Sequence, residues 1–149
     1  MEKHSSLPTL IELAKNQADA AGKALAQLQT ERQKAQAQLD TLHEYRLDYA
    51  QRLQQVTESG LSASNYHNFR QFIATLDQAI SQQNKVVAQF DTKIQAGKVR
   101  WVEENQRLRS YEALQTRQRE QALRQQNRRE QLATDETSAM LYRRLRSTH

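Results

Sequence analysis

The side chains able to move protons or hold a metal near neutral pH are His4, His43, His67 and His149. They are scattered along the chain without metal-ligand spacing, and no His-Glu-x-x-His run occurs. Cysteine is absent, which removes disulfides, thiolate metal sites and sulfur nucleophiles together. Neither a glycine-rich phosphate loop nor a serine nucleophile elbow is present. The sequence therefore predicts no catalytic residue, no metal site, no cofactor and no enzyme. What remains is the chemistry of recognition, and two sets of residues carry it. Tyr45 and Phe72 place aromatic rings among aliphatic neighbours, and arginines crowd a later stretch: Arg107, Arg109, Arg117, Arg119, Arg124, Arg128 and Arg129. Exposed rings suit a protein interface. The arginines suit an acidic protein surface, since no aromatic side chains alternate with them to stack on bases, so no nucleic acid is expected.

The elements that position these residues follow from composition. Of 149 residues only 3 are Gly and 1 is Pro, 22 are Gln, and hydrophobic residues make up 37%. Such a chain forms long helices. Its apolar content is too small for a round core and sufficient for a seam between two helices. No apolar run reaches the roughly 20 residues that span a bilayer, so direct membrane insertion is not expected. The first residues lack the apolar core of a signal peptide, and a cytoplasmic location is expected. A net charge of +5 admits an acidic partner, a nucleic acid or a membrane surface without choosing among them.

A heptad repeat begins after Pro8, which suits a first helical turn, and after the capping pair Thr9 and Glu12. Its a positions are Ile11, Ala18, Leu25, Arg32, Leu39, Arg46 and Leu53. Its d positions are Ala14, Ala21, Leu28, Ala35, Leu42, Tyr49 and Val56. The pattern stops at residues 57–65, where Gly60 suits a helix C-cap and Ser62 or Ser64 an N-cap. It resumes with Tyr66, Ile73, Ile80, Val87, Ile94, Trp101 and Leu108 at a, and Phe69, Leu76, Gln83, Phe90, Gly97, Glu104 and Tyr111 at d. A short loop between long helices makes them antiparallel neighbours. The expected fold is all-α: one coiled-coil domain, an antiparallel α-hairpin with helix 1 at about 8–57, a loop at 58–64 and helix 2 at about 65–132. Over 112–132 a helix polar nearly all round lacks an intramolecular partner, so a projecting, fraying helix end is expected there, followed by a flexible basic tail at 133–149.

Folding at Gly60 and Leu61 pairs residues whose numbers sum to about 122. Leu53 then faces Phe69, Leu28 faces Ile94, and Trp101 falls opposite Ala21, so large side chains meet small ones. Arg32, Arg46, Gln83 and Glu104 in the seam would weaken it while fixing its register. Tyr45, Phe72, Gln38 and Ala79 occupy g positions beside the seam. With the edges of Leu42, Tyr49 and Leu76 they form a partly exposed strip near the loop.

These residues resemble the FliJ family of flagellar export proteins. The likeness lies in Leu42-His-Glu-Tyr45-Arg-Leu-Asp-Tyr49, in Gly60, in Asn65-Tyr66-His-Asn-Phe69-Arg-Gln-Phe72-Ile73 and in Leu76-Asp-Gln-Ala79-Ile80. It continues through Trp101-Val-Glu-Glu-Asn-Gln-Arg107 and Tyr111-Glu-Ala-Leu114-Gln-Thr-Arg117, covering roughly 7–120. The resemblance implies a soluble component of the flagellar type III export apparatus, similar in architecture to the stalk of the F-type ATPase gamma subunit. It further implies binding to a hexameric export ATPase, to the cytoplasmic part of the export gate membrane protein and to export chaperones, with peripheral association to the membrane through the apparatus. By that analogy Gln38, Leu42, Tyr45, Tyr49, Phe72, Leu76 and Ala79 meet the gate. Arg107, Arg109, Arg117, Arg119, Arg124 and Arg128 meet the ATPase ring. The equivalent stalk of a virulence-type injectisome and a generic coiled-coil spacer are the alternatives.

Overall fold

The structure, a computed structural model, describes the backbone from Glu2 to Ser147 and the side chains from Ser6 to Ser147. His149 and the side chain of His4 lie outside the described residues. Two helices, α1 (Glu2–Glu58) and α2 (Ala63–Ser147), make a helical hairpin, and no strand occurs among the described residues. The chain divides into two compact units. One, here the hairpin unit, is Gln17–Glu104; the other, the terminal unit, is Met1–Asn16 with Asn105–His149.

In the hairpin unit the interior is a single seam. Ala18, Ala21, Ala35 and Leu39 of α1 are buried, as are Ile73, Leu76, Ile80, Val87 and Ile94 of α2. Ala35, Leu39, Ile80 and Val87 form one cluster, with Leu42, Val86 and Phe90 packed against it. Within it the large Val87 side chain shares the seam with the small Ala35, a combination that keeps two helices close.

Three polar bridges cross the same seam, and the two arginine–aspartate pairs among them share one register. Arg32 Nε donates to Asp91, and Arg46 Nε donates to Asp77, with a second bond from Arg46 Nη2 to Asp77 Oδ2 at 3.4 Å. Gln83 Nε2 donates to the Ala35 carbonyl at 2.9 Å and to Gln38 Oε1 at 3.1 Å. Both arginine–aspartate pairs have residue numbers summing to 123, within one of the register expected from the hairpin. The arginines expected to weaken the seam instead reach out of it to carboxylates on its flank. Arginine's long stem spans that distance while its head stays in water.

The connection is tighter than the expected loop at 58–64. Gly60 has φ 89°, a left-handed conformation that only glycine adopts without strain. Around it, Ser59 N donates to Gln55 O at 3.2 Å and Gly60 N to Thr57 O at 3.3 Å, closing α1. Ser62 starts α2: its Oγ accepts from Asn65 N at 3.3 Å and its carbonyl accepts from Tyr66 N at 3.0 Å.

Gly97 sits in mid-helix at φ ordinary for a helix, and a methyl group there would meet Leu25 Cδ1 at 3.5 Å and Leu28 Cδ1 at 3.6 Å, normal packing distances. The two glycines thus predict opposite signs. Gly97→Ala raises stability by about 1 kcal/mol, through helix propensity and the added contact. Gly60→Ala lowers it by about 1 kcal/mol, because the left-handed turn is retained. Thermal and urea melts of the two variants check both.

In the terminal unit Leu7 and Ala14 are buried, and Leu7, Pro8, Gln115, Gln118, Arg119 and Ala122 border one groove. The helix α1 starts at Glu2, earlier than the expected start at about 8, with Pro8 inside it. At the other end α2 continues helically to Ser147, past the expected stop at 132. From Gln121 to Ser147 every side chain is exposed. Propensity alone favours helix through this Gln-, Arg-, Leu- and Ala-rich stretch, which holds no Gly or Pro to end it.

Candidate functional site: an apolar strip and an arginine face

Residues Gln38, Leu42, Tyr45 and Tyr49 recur at the spacing of one face of α1, and Phe72, Leu76 and Ala79 do so on α2. Both sets belong to the hairpin unit, near its loop. The two are joined by rings: Tyr49 and Phe72 have centroids 4.4 Å apart at 37°, and Tyr49 and Phe69 are 6.1 Å apart at 55°. The guanidinium of Arg52 lies 5.7 Å from the Tyr49 ring centre, on its cation-attracting face. Tyr45 is 55% exposed and Phe72 43% exposed, whereas Leu76 is only 7% exposed. Leu76 is therefore a seam residue supporting the strip from below, and a partner would touch it little. Its d position in the heptad explains the burial. Leu42, Tyr49 and Ala79 are half-buried and Gln38 is exposed.

Two shallow recesses flank this strip. One is lined by Tyr49, Asn68, Phe69 and Phe72. The other is lined by Ala37, Gln38, Thr41, Leu42 and Gln83. Asn68, Phe69, Thr41 and Gln83 thus join residues expected from sequence. Gln83 was legible as a polar seam position, but its bond to Gln38 was not. That bond holds the amide of Gln38 toward α2, fixing a polar edge on an otherwise apolar patch. The rings and aliphatic edges can bury surface against a partner, and the two glutamines can set its orientation.

Beside the strip, the hydrogen bond from Arg46 holds the Asp77 carboxyl below the usual carboxylate range; desolvation opposes it, and the positive charge of Arg46 adds a smaller lowering. The folded state then binds this proton less readily than the unfolded chain does. Stability from the bridge is present above the ordinary carboxylate pKa and is lost as pH falls through the lowered one. Replacing Asp77 with Asn is expected to lower the neutral plateau of the stability profile, where the bridge contributes, and to leave its acid end nearly unchanged, so that the acid limb flattens, as read by thermal melts at stepped pH.

The second set lies in the terminal unit. Arg107, Arg109, Arg117, Arg119, Arg124 and Arg128 are all exposed on α2. Helical spacing brings Arg117, Arg124 and Arg128 onto one face. Arg124 and Arg128 there share a surface with Gln121, Gln125, Asn127 and Gln131. Arg119 lies on the opposite side, in the groove with Leu7 and Pro8. Arg107 and Arg109 fall to either flank. The set is therefore one three-arginine face with outliers, rather than a single continuous patch.

No cluster of metal-capable side chains occurs among the described residues. His43 and His67 are exposed. Nor is any helix among the described residues long and apolar enough to cross a membrane.

Comparison with known proteins covers both surfaces. A family model described as Flagellar FliJ protein matches residues 3–147. A flagellar FliJ protein of Salmonella typhi is 34% identical over 136 residues, 91% of this chain and 92% of the relative. One from Escherichia coli (strain K12) is 33% identical over 136 residues, with 91% of this chain and 92% of the relative covered. With the match running through the aromatic strip, the turn at Gly60 and the arginine face alike, the chain belongs to the FliJ family of flagellar proteins.

Proposed function

We propose that this chain is a non-catalytic stalk and adaptor of the flagellar type III protein-export apparatus, working on the cytoplasmic side of the membrane. Its arginine face engages a hexameric export ATPase and promotes assembly of the ring. Its aromatic strip engages the cytoplasmic part of the export gate membrane protein, and export chaperones are further partners. Family membership across residues 3–147 is the observation that carries this reading. The flagellar names of both relatives favour it over an injectisome setting.

The physical chemistry supports a division of labour between the units. A single chain meeting a six-subunit ring presents unlike side chains to six like surfaces, so close shape matching to all of them is impossible. Long, always-charged arginines tolerate such mismatch, since their attraction does not require one fixed geometry. The aromatic strip, by contrast, offers rings whose burial is worth most when a partner is shaped to receive them. ATP hydrolysis belongs to the ring.

The test is the activity of the purified cognate export ATPase, titrated with the full chain and with a truncation ending at Tyr111. The full chain is expected to raise both the activity and the hexamer fraction, and the truncation to raise neither. If neither protein changes either quantity, the stalk reading fails and a passive spacer takes its place.

A further inference from the structure

The last turns of α2 carry four exposed large apolar side chains, two of which, Tyr142 and Leu145, are the most exposed of that kind among the described residues. Met140 is 61% exposed, Leu141 55%, Tyr142 66% and Leu145 68%. Three arginines, Arg143, Arg144 and Arg146, are interleaved with them. On a helix, Leu141, Leu145 and Tyr142 fall on one stripe, with Arg144 along one border and Arg146 along the other. Nothing in the proposed ATPase or gate contacts uses this segment.

We propose that this stripe is a weak anchor for an anionic phospholipid surface, lying in the headgroup plane with its leucines and tyrosine turned inward. Three features select a lipid surface over the groove of an acidic protein. First, the apolar stripe lasts only about two turns, because Ser138 and Thr134 occupy its continuation toward the N-terminus. A helix seated in a protein groove needs anchors repeating over several turns. Second, arginines on both borders can extend sideways to phosphates while their stems cover the stripe's edges. Third, a tyrosine beside leucines suits the boundary between headgroup and acyl chain. Asp135 and Glu136 precede the stripe and repel the same surface, which confines the contact to the last turns. One short stripe with three charges gives reversible binding rather than permanent attachment.

Co-sedimentation of the full chain with vesicles tests this. The chain is expected to sediment with equimolar phosphatidylglycerol and phosphatidylcholine vesicles, to stay in solution with phosphatidylcholine alone, and to be released by salt. A variant with Leu141→Gln, Tyr142→Gln and Leu145→Gln, and another with Arg143→Gln, Arg144→Gln and Arg146→Gln, should each partition more than about tenfold less. All six side chains are exposed, so neither variant alters the seam, and circular dichroism should be unchanged. Absence of sedimentation with anionic vesicles overturns the proposal. So does loss in the arginine variant with full binding by the apolar variant, which would mean bare charge attraction. Full vesicle binding by both variants, with loss of an acidic protein partner instead, assigns the stripe to protein and overturns it equally.

Discussion

The Ile80→Asn variant is expected to lose about 3–5 kcal/mol of stability, from the vacated volume and from an amide without partners in the seam. Ile80 is 8% exposed and belongs to the cluster with Ala35, Leu39 and Val87. A domain of this size has about 5–15 kcal/mol in total, so the loss is a large fraction of the whole. The loss should be large because a two-helix seam is one layer deep and cannot repack from a second layer. Urea denaturation followed by circular dichroism measures it. A loss below about 1 kcal/mol would mean that the helices hold without the seam, through propensity alone.

The second large effect concerns binding. With Tyr45→Ala or Phe72→Ala, affinity for the purified cytoplasmic part of the export gate is expected to fall roughly thirtyfold for each, as for interface hot spots. Calorimetric titration reads this directly. Stability should separate the two variants. Tyr45 is exposed and its loss is nearly silent in melts, whereas Phe72 loses its ring contact with Tyr49, costing about 0.5–1.5 kcal/mol. Leu47→Ala supplies the control, since Leu47 is 61% exposed and lies off the strip. If Tyr45→Ala binds the gate as tightly as the unaltered chain, the strip is not the gate surface and the proposal loses that arm.

Much of the hairpin was legible because a seam between two helices is a one-dimensional problem. Heptads name the buried row, and one loop position fixes the pairing. The placing of Gly97 beside Leu25 and Leu28, where an added methyl would meet both, and the ring contact of Phe72 with Tyr49 follow from that arithmetic. What escaped was the behaviour of side chains long enough to leave their own row. Arg32 and Arg46 read by position as residues that weaken the seam while fixing its register, but the carboxylates they bind stand one row outside the seam, where a row of core positions does not look. Trp101 is similar. Its row predicts Ala21 opposite, but the indole extends sideways, and a methyl on Gly22 would lie 3.3 Å from its Nε1. The candidate surfaces divide the same way. The exposure of Tyr45 and Phe72 follows from their g positions, and the burial of Leu76 follows from its d position. The asymmetry of the arginines around α2 was missed because a list of charges carries no angle. The far end of α2 differs for another reason: the segment after 132 reads as a basic tail, yet local propensity continues the helix through it to Ser147.

The two arginine–aspartate bridges bear on how a displacement could pass along the hairpin unit. Some coiled coils transmit a signal by letting one helix slip past the other, trading one set of seam contacts for an equivalent one. Here a slip of one heptad in one direction sets Arg46 against Asn84 and Arg32 against Lys98. In the other direction it sets Arg46 against Arg70 and Arg32 against Asn84. Either way both bridges are broken and a like-charge encounter replaces one of them. Sliding therefore has no neighbouring resting place, and a push at the loop is handed on whole, as by a strut and not by a ratchet.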